Sequence, residues 1–139
     1  MKKLILVSAI LLTGFSCEKN NNNISLCKGE TTSEHHTIKV TATMYYAVVG
    51  QCDDTPLITA CGYKINPKRA SKQKWIAISR DLLKIFKYGD KVKLSHAGKK
   101  NGTYRVADTM AKRFKNKIDI LETENTPIYK LNNVVITKV

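Results

Sequence analysis

Ile38, Val40, Ala42, Met44 and Tyr46 alternate with Lys39, Thr41, Thr43 and Tyr45, a period of two that fits a strand with one buried face. Further short strands are predicted at Leu57–Ala60, Trp75–Ile78, Lys91–Ser95, Thr103–Ala107, Lys117–Leu121 and Val134–Lys138, separated by Gly, Asn, Pro and Asp clusters. Two short helical pieces interrupt them. Ser79 can cap Arg80–Phe86, with Asp81 in the first turn, and Thr126 can cap a turn from Pro127 to Leu131. Many short strands with little helix predict a mainly β domain, a small barrel or sandwich, over 37–139.

The chain before this domain reads differently. Lys2 and Lys3 precede the apolar run Leu4–Phe15, which has the length of a signal sequence and is too short to span a bilayer. The run ends in Gly14, Phe15, Ser16 and Cys17, which resembles the bacterial lipoprotein signal, in which the Cys is acylated and becomes the mature N-terminus; a plain secretory signal or an uncleaved anchor is the alternative. Residues 1–16 are therefore read as a signal peptide and 17–36, with Asn20 to Asn23, as a disordered polar tether. The expected location is the cell envelope, lipid-anchored at the outer membrane, the periplasmic face or the cell surface.

Charge then narrows the partner. Among 139 residues, 24 Lys and Arg stand against 11 Asp and Glu, a net +13 that calls for an anionic partner. Removing residues 1–16 takes away two lysines and no acid, so the basic character survives export. Export removes nucleic acid as the expected partner, and the sequence has no zinc-finger spacing or aromatic RNA-binding motif. Of four cysteines, Cys17 is read as acylated, Cys27 lies in the tether, and Cys52 and Cys61 flank Asp53–Pro56 as the expected disulfide; zinc binding by these thiols is the rival. His35 and His36 are adjacent, a poor geometry for a shared metal, and His96 sits in a Gly- and Lys-rich turn, so neither a metal nor an organic cofactor is expected. The protein is expected to be monomeric.

One carboxylate stands out by parity. In Thr103–Asp108 the side chains of Tyr104 and Val106 share parity with Asp108, so a continuous strand would aim that carboxylate at the core. Burial there would raise its pKa and suit it to general acid work. The structural alternatives are that Asp108 caps the next turn through Thr109, or pairs with Arg105 or Lys112.

The order Thr41-Ala42-Thr43, Thr59-Ala60-Cys61-Gly62, Ile76-Ala77-Ile78-Ser79, Tyr88-Gly89-Asp90-Lys91-Val92, Gly102 to Thr109 and Asn116 to Ile120 resembles the 3D domain. That family is related to the barrels of rare lipoprotein A, of membrane-bound lytic transglycosylase A and of expansins. The resemblance covers roughly 38–138 and implies a six-stranded double-psi β-barrel with one or two short helices, acting on or binding peptidoglycan glycan strands. It implies that Asp108 is the single catalytic acid of a lytic transglycosylase or glycan hydrolase. In that role Asp108 protonates the glycosidic oxygen and then, as carboxylate, takes the proton of the muramic acid 6-hydroxyl as a 1,6-anhydro ring closes.

Asp119 matches a later family aspartate and is read with Asp108 as part of the catalytic site, a hydrogen-bonding partner that orients loop and substrate, or as a structural residue holding the psi loop. Tyr45, Thr59, Thr109 and Arg113 are the expected substrate contacts, with plain strand roles as the alternative for Tyr45 and Thr59. The chain departs from the family pattern where Met110-Ala111 replaces Gly-Gly and where Ser79 replaces the first aspartate. The basic stretch Lys112, Arg113, Lys115 and Lys117 is a solvated face or a seat for stem-peptide carboxylates or wall phosphates. Trp75 is assigned to core packing and Asp90 to a turn. Two non-catalytic functions compete with cleavage: peptidoglycan binding through the same groove, and binding or inhibition of another envelope protein.

Overall fold

The computed structural model describes residues 36–50 and 55–139. Six strands form a closed barrel: β1 (Thr37–Tyr45), β2 (Trp75–Ile78), β3 (Lys91–Ser95), β4 (Gly102–Thr109), β5 (Lys117–Leu121) and β6 (Leu131–Lys138), in the order β1-β5-β2-β4-β3-β6. β1/β5 and β2/β4 run parallel and the other four pairs antiparallel, the mixed ring of a double-psi barrel. Closure leaves no strand edge free for stray pairing.

The period-two pattern explains the interior. Val40 and Ala42 of β1, Ile76 and Ile78 of β2, Val92 and Leu94 of β3, Tyr104 and Val106 of β4, Ile118 and Ile120 of β5, and Val134 and Ile136 of β6 form one core cluster, joined by Leu82 and Phe86. A second cluster on the outer side gathers Tyr45, Ala47, Ile65, Ala70, Ala77, Met110 and Leu121, with Trp75 and Phe114 against it. Trp75 thus packs on the outside of the barrel, stacked on Tyr63 at 5.2 Å between ring centroids.

Four local expectations change. Leu57–Ala60 is not a strand: only an isolated bridge joins Ile58 to Lys64, and the segment turns back through the Thr59 amide on the Tyr63 carbonyl. Pro127–Leu131 is not helical, because Leu131 already pairs with Ala42 as the first residue of β6 and the chain must reach it extended. Arg80–Lys84 is a 3-10 turn, and the Ser79 side chain does not cap it; its hydroxyl accepts the Lys117 amide of β5 instead. A one-turn helix, α1 (Ala70–Gln73), occurs where no periodicity announced one.

The fifth change relocates Asp108. Ile76 pairs with Val106, but the next residue of β2, Ala77, pairs with Asp108, so Ala107 is an extra residue in β4. This bulge reverses the parity beyond Val106. Ala107 stays buried, its carbonyl accepting the Cys61 amide at 3.4 Å, while Asp108 turns to the outer face and is only partly buried.

Candidate functional site

The bulge matters because of what already lies on that outer face. Thr43 pairs with Asp119, Asp119 with Ala77, and Ala77 with Asp108, so one row crosses β1, β5, β2 and β4. Paired residues share a face, which puts both carboxylates on the same side of the barrel with the small Ala77 between them, two strand spacings or about 9–10 Å apart at Cα. Ala77 lines a cleft of about 680 Å³ together with Thr59, Met110, Arg80, Arg113 and Phe114. Tyr45, Thr59, Asp108, Thr109, Arg113 and Asp119, the six groove residues expected from sequence, all line this one cleft.

The two acids are held differently. Asp119, flanked by buried Ile118 and Ile120, points outward as its parity predicts, and its Oδ1 accepts a hydrogen bond from the Thr43 hydroxyl. Burial pushes the Asp119 carboxyl above the ordinary aspartate value, against the opposing effects of that hydrogen bond and of Lys117. Asp108 Oδ1 accepts the amides of Ala60 at 3.0 Å and Thr109 at 2.8 Å. It therefore latches the β1–β2 connection onto β4 and carries a fixed orientation. Neither Arg105 nor Lys112 is needed for this: Arg105 donates to the Gly89 carbonyl and Lys112 is exposed.

The remaining residues divide between lining and scaffolding. Thr59 is buried and its Oγ1 accepts the Tyr63 amide at 3.0 Å, so it closes a turn as well as walling the cleft. Thr109 Oγ1 accepts from the Tyr88 hydroxyl at 3.3 Å. Tyr45 is a member of the outer cluster. Phe114, flanked by the Arg113 guanidinium at 4.7 Å and the Lys117 ammonium at 5.2 Å, carries cations on its ring. Arg80 lines the cleft although the sequence did not single it out. Its segment is tied to the Arg113 turn by the Asn116 amide on Asp81 Oδ2 and by the Met110 amide on the Ile78 carbonyl. The site is thus a carboxylate floor beside a cationic wall, with hydroxyls between.

Three expected features fall elsewhere. Cys17 and Cys52 lie outside the described residues, and with them the lipidation and the Cys52–Cys61 pairing; Cys61 itself is buried, its Sγ 3.7 Å from Thr59 Oγ1. Asp90 is more than a turn residue: it is buried, accepts the Lys87 amide at 2.8 Å and pairs with Lys138 at 3.0 Å.

No protein-family model matches the sequence, and no curated protein matches it. Among solved structures, the chain is similar to the Streptomyces papain inhibitor, with 17% identity, a TM-score of 0.51, and coverage of 75% of this chain and 94% of that one. At this identity the likeness shows a common barrel fold and nothing about the cleft.

Proposed function

We propose that this protein is a cell-envelope binding protein whose cleft takes a glycan strand of peptidoglycan. The observation that carries the reading is the single row Thr43–Asp119–Ala77–Asp108 at the bottom of an open cleft, with hydroxyls and guanidiniums on its walls. An extended chain of hydroxyl and acetamido groups needs such alternating donors and acceptors along a trough, and Ala77 leaves room for it between the acids. The 3D-domain resemblance of the quoted motifs supports the same ligand.

Cleavage is the finer form of this reading, and the burial of Asp119 bears on it. A carboxyl pushed upward by burial suits Asp119 to the role of the acid that protonates a glycosidic oxygen. Asp108, fixed by two amides, then serves to position the strand and the Ala60 loop. A protein ligand is the second reading, favoured by the exposed side chains of Val49, Leu57 and Ile58 on the β1–β2 connection beside the cleft. The Streptomyces neighbour, an inhibitor of papain by its name, shows that such a barrel serves that purpose elsewhere.

Incubation of the full chain with purified sacculi separates these readings. Binding predicts that the protein sediments with sacculi. Lytic cleavage adds 1,6-anhydro-muropeptides from the unaltered protein and none from Asp119→Asn, which keeps the Thr43 hydrogen bond. A protein that stays in the supernatant but captures an envelope protease in a stable complex would replace the glycan reading with the inhibitor reading.

A further inference from the structure

Charge is segregated around the barrel. The strand order places β3 and β6 opposite β5 and β2, so the outer face of β3 and β6 looks away from the carboxylate cleft. On that face and its margins stand Lys91 and Lys93 of β3, Lys39 of β1 and Arg105 of β4, the three lysines exposed and the arginine partly so. Over Thr37–Thr41, β3, β6 and Gly102–Arg105 there is no Asp or Glu.

Two features show that this is more than the general basicity of the chain. Lys91 lies directly across from Arg105, and like charges facing each other across strands oppose pairing. Lys93 is flanked on both sides by threonines, Thr103 and Thr137, so its cross-strand neighbours offer hydroxyls and no counter-charge. Among the described residues, the acid at this rim, Asp90, is buried and already paired with Lys138. The chain also enters the barrel here: Thr37, whose Oγ1 lies 3.1 Å from Thr137 Oγ1, is the first residue of β1 and follows 36 residues of N-terminal sequence.

We propose that this face, with Lys39, Lys91 and Lys93 as its principal contacts, docks on the anionic headgroups of a lipid bilayer and so turns the carboxylate cleft away from the membrane. Each lysine at a charged membrane surface contributes favourably while it stays within a Debye length, about 8 Å at physiological salt. Closed strands offer a broad face with several ammonium groups at similar height, which suits a planar array of phosphates. The start of β1 at this face makes such docking consistent with attachment of the chain upstream, and independent of what fills the cleft.

The test is sedimentation of the full chain with vesicles of phosphatidylcholine alone or mixed with phosphatidylglycerol. Neutral vesicles report the apolar contribution of the N-terminal residues, and their charge is common to every variant compared. The expected result is tighter binding to the anionic vesicles, reduced about 30- to 100-fold in the triple variant Lys39→Gln, Lys91→Gln, Lys93→Gln. A charge-matched control, Lys64→Gln, Lys68→Gln, Lys72→Gln, alters exposed lysines of the β1–β2 connection and is expected to lose about threefold at most through general electrostatics. Equal losses in the two triples would overturn the proposal, as would absence of any preference for anionic vesicles. Selective loss of binding to soluble polyphosphate, with vesicle binding unchanged, would assign the face to a wall polymer and overturn it equally. Thermal unfolding of both triples near the unaltered value confirms that folding is not the cause.

Discussion

Lys100→Met is expected to destabilise the barrel by about 2–4 kcal/mol at pH 7, and by progressively less as the pH is lowered toward 4. The reason is Glu122, a carboxylate only 2% exposed just beyond β5. Lys100 forms an ion pair with it, while the Ser71 hydroxyl donates at 2.6 Å and the Tyr129 hydroxyl at 2.7 Å. Ser71 Oγ also accepts the Thr123 amide at 2.8 Å, so one carboxylate ties α1, the Gly98–Lys100 turn and the β5–β6 connection together. Burial by itself would raise the Glu122 carboxyl, but the hydrogen bonds from Lys100, Ser71 and Tyr129 outweigh it and hold the group below its ordinary value of 4.5.

The sign of the pH dependence follows. In the unaltered protein the lowered carboxyl contributes stability above pH 4.5, lost as the pH falls through the folded value. In Lys100→Met the strongest opposing partner is gone, burial dominates and the carboxyl rises. The penalty is then fully present at neutral pH and relieved by protonation. Lys100 is itself 26% exposed in its side chain, which is why the loss is placed below that of a fully buried pair. Urea unfolding of both proteins from pH 4 to 8 checks this; a deficit independent of pH would show that Lys100 acts by packing on the Tyr129 ring, 5.2 Å away, and not by charge.

Ala111→Trp is expected to lower affinity for glycan strands at least about 30-fold, roughly 2 kcal/mol, with little change in stability. Ala111 is exposed and lines the cleft three residues after Asp108, in the turn closed by the Phe114 amide on its carbonyl. An indole there fills the trough over the carboxylate row without entering either apolar cluster. Ala111→Gly, which restores the small residue that the 3D-domain pattern carries, is expected to bind at least as well as the unaltered protein. Calorimetric titration with solubilised strands measures both. If Ala111→Trp binds normally, the strand does not lie in the cleft.

The same parity rule that misplaced Asp108 would have found Glu122. Ile118, Ile120 and Glu122 alternate without interruption, so continuing the β5 pattern by one residue puts a carboxylate on the core side, where the structure has it. Asp108 escapes the rule because Ala107 is inserted opposite nothing in β2, and a bulge without glycine leaves no mark in a local pattern. β1, β3 and β5 were legible because half-buried strands alternate, and β2 as a short apolar run bounded by Lys74 and Ser79; Leu57–Ala60 has the apolar content but no partner strand to hydrogen-bond. Pro127–Leu131 has a helix-start signal that loses to the pairing of Leu131 with Ala42. For the cleft, residue types and motif order indicated six of the lining residues, but Arg80 was missed because tertiary ties such as Asn116 to Asp81 bring its turn beside Arg113.

Backbone amide NMR shifts on addition of solubilised peptidoglycan glycan strands report whether the row Thr43–Asp119–Ala77–Asp108 is the ligand site. A strand lying in the cleft shifts Ala60, Ala77, Asp108, Thr109, Ala111 and Asp119 most and leaves β3 and β6 unmoved. Absence of shifts at saturating glycan, or shifts confined to residues outside the cleft, would contradict it.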